Sequence, residues 1–278
     1  MTPHSLPPQL PCLLSFQGPD AVRYLNGQLT QDTRDLSDTA LPSCVTDAKG
    51  KLQAFVHVFR GPGDALWIEA PAEIAEELEA RLTRYLIADD VEVENLTGRW
   101  QLTHIVDTPT PPAADHGIVR SSSRIDGTGF DLWLPAGSPA GYSILSPEVA
   151  ETRRITARIP AWGSELTVGL LPPEAGLDRN AISYHKGCYI GQEVLSRIKS
   201  AGRVNRRLAA FLVGTNARAG DTLRGSSGRP AGNLTSVAPL PGENGRFAAL
   251  GYLDRSAYDA SDLEITGKPD RVEVLGFA

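Results

Sequence analysis

Apolar and polar positions alternate from Lys51 to Phe59 (KLQAFVHVF), the period of a half-buried strand. The same reading gives strands at Leu13 to Phe16 and Ala65 to Glu69. Between the first two, Gly18-Pro19-Asp20 offers a turn and cap, and Val22, Leu25 and Leu29 then follow helical spacing. Gly27 makes that helix short or broken. Pro71 opens the clearest helix of the chain, with Ile74, Leu78, Leu82 and Leu86 on one stripe and Glu77 to Arg81 as a favourable i,i+4 pair. Strands follow at Val91 to Leu96 and Trp100 to Val106, joined through Thr97-Gly98, a hairpin signal. The order strand, strand, helix, strand, strand predicts an α+β arrangement.

Beyond residue 107 the pattern loosens. Thr108 to Gly117 (TPTPPAADHG) is a proline-rich connection, Ser121-Ser122-Ser123 begins another polar loop, and Phe130 to Leu134 is a strand. Gln192 to Lys199 has a helical pattern. From Arg207 onward, short strands alternate with glycine turns: Leu208 to Val213, Leu234 to Val237, Ala248 to Leu253 and Arg271 to Phe277. That is how a small β-barrel reads. The expected domains are a body over 1–205 and a C-terminal barrel over 206–278. No internal repeat is visible.

Composition changes this picture little. The chain has 278 residues, 41% hydrophobic and 22% charged, the values of an ordinary globular protein. The first eight residues lack a basic stretch followed by an apolar one, so no signal peptide is expected. No apolar run reaches the ~18 residues of a membrane span, and the expected compartment is the cytoplasm. Cys12, Cys44 and Cys188 are far apart, and His4, His57, His104, His116 and His185 are scattered. The sequence therefore offers no metal-ligand motif, and each histidine by itself reads as a surface or satisfied core residue.

Charge adds one asymmetry. The net charge is −6, which argues against general nucleic-acid affinity. Yet Val194 to Gly220 holds no acid, while Arg197, Lys199, Arg203, Arg206, Arg207 and Arg218 are basic. A solvated basic face is the plain reading. An anion site is the sharper one, with Arg203 and Arg206 as candidates. No aromatic residue lies among Arg197 to Arg207 to stack on bases, so direct RNA contact is not expected.

The most informative run is Lys186-Gly187-Cys188-Tyr189-Ile190-Gly191-Gln192-Glu193. Two glycines flanking a cysteine permit a tight turn. A helix starting near Gly191 or Gln192 would direct N–H groups toward the thiol, and these, with Lys186, would favour thiolate. The alternative is a buried structural cysteine.

This octapeptide resembles the K-G-C-[FY]-x-G-Q-E signature of the YgfZ family, folate-binding relatives of the glycine-cleavage aminomethyltransferase (T protein). Weaker similarity runs in family order along most of the chain. Gly18 to Asp32 resembles the opening G-x-D-A…F-L-x-G-Q-x-T-x-D, Leu171-Pro172-Pro173-Glu174 an L-P-x-E step, and Gly232 to Ser236 a G-x-x-T-S in the barrel. The resemblance implies a T-protein-like multi-domain fold around a central folate cavity, with tetrahydrofolate or a derivative as cofactor. It also implies support of iron–sulfur cluster assembly or repair in client enzymes, including tRNA-modifying ones.

Departures from the T protein matter as much. The enzyme resembles this chain around Asp47 to Phe55, where its own pattern is G-G-x-x-D-D; Ala54 and Phe55 stand where the acid pair should be, and neither side chain can handle a proton. Classical aminomethyl transfer is therefore not expected. The run Arg124-Ile125-Asp126-Gly127-Thr128-Gly129-Phe130-Asp131 keeps an arginine and a terminal acid of the enzyme's motif, making Arg124 and Asp131 candidate folate contacts. In this reading Cys188 is the functional thiol, tuned and placed by Lys186 and the Gly191–Glu193 turn, with Gly187 and Gly191 setting backbone geometry. Two rival classes are a one-carbon transferase using another acid, such as Asp47, and an interaction module that has lost folate.

Overall fold

A computed structural model describes residues 2–114, 116–225, 228–242, 245–268 and 271–278. Two compact units emerge, Met1–Leu145 with Asp178–Ser196, and Ser146–Leu177 with Arg197–Ala278.

The first unit holds β1 (His4–Ser5), β2 (Cys12–Gln17), α1 (Ala21–Gln28), β3 (Leu41–Thr46), β4 (Leu52–Arg60), β5 (Leu66–Ala70), α2 (Ala75–Thr83), β6 (Glu92–Asn95), β7 (Trp100–Val106), β8 (Ile118–Ser122), β9 (Gly129–Pro135) and β10 (Ser143–Ile144). They form two five-stranded sheets, β3-β4-β5-β2-β6 and β10-β1-β7-β9-β8. Alternation along β4 has the predicted consequence. Ala54, Val56 and Val58 join Leu25, Leu78 and Leu82 in the core under α1 and α2. The opposite face of that sheet meets the second sheet. There Phe59 stacks on Trp133 at 5.3 Å, Trp67 meets Trp100 at 5.1 Å, and Leu13 and Leu102 complete a separate core.

Three local expectations fail. Thr97-Gly98 is not a hairpin turn. β6 pairs with β2, whereas β7 pairs with β9 and β1, so the turn carries the chain from one sheet to the other. Trp100 there enters the inter-sheet core, and that burial outweighs local pairing. Ser121 and Ser122 lie in β8, paired with Phe130 and Gly129, not in a loop. Arg81 does not pair with Glu77. Its guanidinium turns inward to Gln28 Oε1 and the Thr46 carbonyl, both at 2.9 Å.

The second unit contains α3 (Pro147–Thr156), most of the basic half of α4 (Gln192–Ala201), and β11 (Arg206–Gly214), β12 (Thr222–Arg224), β13 (Pro230–Pro239), β14 (Arg246–Asp254), β15 (Leu263–Ile265) and β16 (Arg271–Phe277). The six strands close into a barrel in the order β11-β14-β13-β12-β15-β16, which removes the exposed sheet edge. Where β13 crosses β14, a Cβ at Gly232 would lie 2.1 Å from the Tyr252 carbonyl and one at Gly251 2.3 Å from the Asn233 carbonyl. Two glycines thus let the strands approach. α3 docks through Arg154, whose guanidinium reaches Glu165 at 2.9 Å and Ser236 at 2.8 Å.

Candidate functional site

The Lys186–Glu193 segment is a surface turn anchored from within the first unit. Helix α1 ends at Gln28, leaving its last carbonyls without helical partners. Lys186 supplies one. Its side chain is buried at 6% exposure, and Nζ donates to the carbonyls of Asn26 (2.7 Å), Leu29 (2.8 Å) and Gln31 (2.7 Å). The Ile190 N–H supplies another, to the Gly27 carbonyl at 3.3 Å. The motif therefore caps α1. An ammonium has three protons, and here all three go to backbone, leaving none for a thiol. Burial brings the Lys186 pKa down to about 8, with Asp32 opposing the shift. The ring of Tyr189 lies 5.3 Å from the same ammonium.

The two glycines of the motif differ. Gly191 has φ +91°, and a Cβ there would stand 2.6 Å from the Asp47 carbonyl and 2.8 Å from Thr46 Oγ1. Only glycine fits that backbone and that space. Gly187 has no such φ, and a Cβ would meet nothing within 4 Å, so local sterics do not demand glycine there. After Gly191 the helix starts at once. Gln192 N–H bonds the Tyr189 carbonyl and Leu195 N–H that of Gly191, both at 3.2 Å. Tyr189 is buried with Ile182 and Leu195, and Glu193 is exposed. Between these fixed points Cys188 is exposed, whereas Cys12 and Cys44 are buried. Burial pushes those two thiols up to about 11 and about 12, which suppresses thiolate formation at neutral pH.

A second constellation lies between the two sheets. Arg124 grips Asp131 through Nε (2.9 Å) and Nη2 (2.8 Å), and Nη2 also reaches Glu69 at 3.0 Å. Asp131 further takes Ser122 Oγ at 2.7 Å and faces His104 Nδ1 at 2.8 Å, while Glu69 faces His57 Nδ1 at 2.8 Å. Burial alone would raise the Glu69 pKa, but Arg124 and then His57 bring it down to about 2. Asp131 is likewise held well below the usual carboxylate range against its burial, by Arg124 first. Both acids are thus carboxylates at neutral pH, so each histidine donates from Nδ1. Arg124 and Asp131, taken from sequence as folate contacts, are here bound to each other, and Asp131 is fully buried.

Sequence reading missed His57, Glu69 and His104 as partners in this network. The β4–β5 register sets His57 opposite Glu69, and β7–β9 sets His104 opposite Asp131. A strand–turn–strand reading centred on Gly63 would have aligned the first pair. Of the other candidates, Arg203 is exposed. Arg206 is engaged with Glu174 at 3.0 Å and lies over the Tyr252 ring at 4.6 Å. Asp47 Oδ1 accepts the N–H groups of Lys49 and Lys51 at 2.8 and 2.9 Å, which makes it a turn residue. Ala54 is in the core and Phe55 is half-buried.

The fold is that of the glycine-cleavage aminomethyltransferase. A T protein from Bartonella henselae superposes with TM-score 0.81 over 98% of this chain and 84% of its own, at 17% identity. In sequence, the chain is 28% identical over 268 residues to "tRNA-modifying protein YgfZ" of Klebsiella pneumoniae (strain 342), covering 82% of this chain and 79% of that protein. The chain is thus similar in sequence to proteins named YgfZ. Similarity also extends to "Iron-sulfur cluster assembly factor IBA57 homolog, mitochondrial" of Pyricularia oryzae, 27% identical over 209 residues, 70% of this chain and 54% of that one. No family model matches the chain. Among the described residues no helix is long and apolar enough to cross a membrane, and no group of three or more His, Cys, Asp or Glu could hold a metal ion.

Proposed function

We propose that this chain is a cytoplasmic, tetrahydrofolate-binding accessory protein that supports iron–sulfur cluster assembly or repair in client enzymes, tRNA-modifying enzymes among them. The observation that carries the reading is the exposed Cys188 on a rigidly capped turn, in a chain whose other two cysteines are buried. A thiol that acts on another protein must reach it, and one that acts repeatedly must be held in place. The names of the YgfZ and IBA57 relatives supply the client class. In this reading Lys186 and Gly191 place the thiol, Gln192 and Glu193 begin the helix behind it, and Arg203, the exposed one of the two basic candidates, serves a folate tail. A one-carbon transferase is the weaker reading, because Asp47 spends its carboxylate on its own turn and Ala54 and Phe55 replace the acid pair.

The test is a pull-down from cells with wild type and Cys188→Ala, measuring cluster content in captured clients, beside calorimetric titration with tetrahydrofolate. The reading expects clients with depleted clusters in the variant and unchanged folate binding. Equal cluster content with both baits would remove the thiol's role, and no heat with wild type would remove the cofactor.

A further inference from the structure

Helix α2 ends at Thr83, and of the apolar residues that follow only Leu86 turns inward. Its N–H bonds the Thr83 carbonyl at 3.0 Å, and its side chain packs on the core under α1 and α2. Tyr85 is 45% exposed and Ile87 89% exposed, and Arg84 before them is exposed as well. The loop is nonetheless held. Arg23 Nη2 reaches Asp89 at 2.6 Å, and the Asp90 N–H reaches Asp20 Oδ2 at 2.9 Å. The Asp90 carbonyl comes so near Gly18 that a Cβ there would lie 2.4 Å from it. One exposed apolar side chain is ordinary. Two on a loop pinned to α1 make a fixed apolar point.

This loop is joined to the Cys188 turn through Thr46. Arg81 Nη2 donates to the Thr46 carbonyl at 2.9 Å, Thr46 Oγ1 donates to the Ile190 carbonyl at 2.5 Å, and Gly191 packs on the Asp47 carbonyl. The guanidinium groups of Arg81 and Arg84 lie over the Tyr85 ring, 5.6 and 5.7 Å from its centre, a cation–π arrangement. Lys49 and Lys51, both exposed, carry the positive charge along the turn between β3 and β4. Elsewhere in the unit Arg23, Arg34 and Arg99 each hold a carboxylate. Among the described residues Arg81, Arg84, Lys49 and Lys51 hold none. Asp47 lies in the same turn, and its carboxylate accepts that turn's own N–H groups. Positive charge without countercharge beside a fixed apolar point suits a partner that brings both acids and apolar side chains.

We infer that Arg84, Tyr85, Ile87 and the Lys49–Lys51 turn form a docking surface for an acidic, amphipathic protein segment, and that docking presents the protein carrying it to the Cys188 thiol. This rests on the reading of Cys188 as a thiol that acts on other proteins. Tyr85 and Ile87 take the apolar side chains of the segment, and Arg84, Lys49 and Lys51 meet its carboxylates. Single-stranded RNA suits the surface less, because Ile87 offers no aromatic face to a base and the Tyr85 ring already has two guanidinium groups over it.

The probes are a synthetic amphipathic peptide of Glu, Leu and Ala, its counterpart with Lys for Glu, and an oligouridylate of similar length, each labelled for fluorescence anisotropy. Both peptides are also made with a terminal thionitrobenzoate mixed disulfide, so that attack by the Cys188 thiolate joins the peptide to Cys188 and releases thionitrobenzoate. Wild type is compared with Ile87→Ser and Arg84→Glu, two exposed sites, so that one variant failing to fold leaves the other. The expected result is that wild type binds the acidic peptide and each variant binds it about tenfold more weakly. Affinity should fall as salt rises. The acidic disulfide should react with Cys188 faster than its Lys counterpart, and both variants should lose that advantage. The small neutral reagent 2,2′-dithiodipyridine should react with Cys188 equally in all three proteins. No binding of the acidic peptide by wild type, or equal binding by wild type and variants, overturns the docking surface and leaves the thiol reading standing. Oligouridylate bound in place of the acidic peptide, and weakened by the two variants, assigns the surface to RNA and overturns the proposal too. A wild-type Cys188 that does not react with dithiodipyridine defeats the thiol reading and the presentation to it, and the anisotropy tells that failure apart from a failed surface.

Discussion

Lys186 and Arg124 are both cations taken out of water in the first unit, and the protein keeps them charged in opposite ways. Lys186 has backbone carbonyls on all three donors, with no carboxylate paired to it among the described residues. Arg124 sits between two carboxylates and is stabilised as a cation by Asp131 and Glu69 despite its burial. Dipoles satisfy hydrogen bonds without cancelling charge, so the lysine pKa falls to about 8. Countercharges cancel the cost of burial, so the arginine is permanent. One region is a titratable clasp on the Cys188 turn. The other is a fixed brace between two sheets.

Removing each cation is the strongest test of that contrast. Arg124→Met strands Glu69 and Asp131 as two buried acids with no guanidinium, and should cost about 3–5 kcal/mol of stability, read as a shift in urea midpoint. Lys186→Met strands only neutral carbonyls and should cost about 1–2 kcal/mol. Its larger consequence is local. Amide exchange over residues 26–31 and 186–191 should accelerate, and the alkylation rate of Cys188 should change, whereas Arg124→Met at matched residual stability leaves both nearer to wild type. Equal losses in the two variants would erase the distinction between dipoles and countercharges.

The two regions also respond to pH in different windows. Lys186 is depressed from its ordinary 10.5 to about 8, so between those values the unfolded chain holds the extra proton. Stability from this group is therefore present above about 10.5 and is lost as pH falls through about 8, with a slope of at most about 1.4 kcal/mol per pH unit. Glu69, lowered from 4.5 to about 2, contributes above about 4.5 and is lost as pH falls through about 2. Subtracting the Lys186→Met stability profile from that of wild type should leave a rising difference only on the alkaline side. A flat difference between pH 8 and 10 would mean that the ammonium is not desolvated.

The smallest effect belongs to the turn itself. Gly187→Ala should fall within about 0.5 kcal/mol of wild type, since nothing lies within 4 Å of the added methyl. A thermal melt checks this, and a large loss would mean that the clasp extends further along the turn than Lys186 and Ile190.

Local pattern carried much of the architecture. Alternation located β4, β5 and β9, helical spacing located α1, α2 and α4, and glycine-punctuated short strands announced the barrel, because these signals depend on neighbours two to four residues apart. The motif around Cys188 was legible because a tight turn needs glycine and a thiol stands out in a cysteine-poor chain. β3 and β8 were not legible, since Leu41–Thr46 and Ile118–Ser122 take their strand character from partners in other segments. Nor was the destination of Thr97-Gly98, which depends on where Trp100 finds its core. The candidate site divides the same way. Sequence placed Cys188 and Gly191 on the turn. Only the tertiary structure could show that Lys186 turns away from the thiol to three carbonyls some 155–160 positions earlier, or that Arg124 joins His57, Glu69, Asp131 and His104. A carbonyl is present at every residue and leaves no mark in sequence. A charge network across two sheets exists only once strand register and sheet packing have brought its members within hydrogen-bond reach.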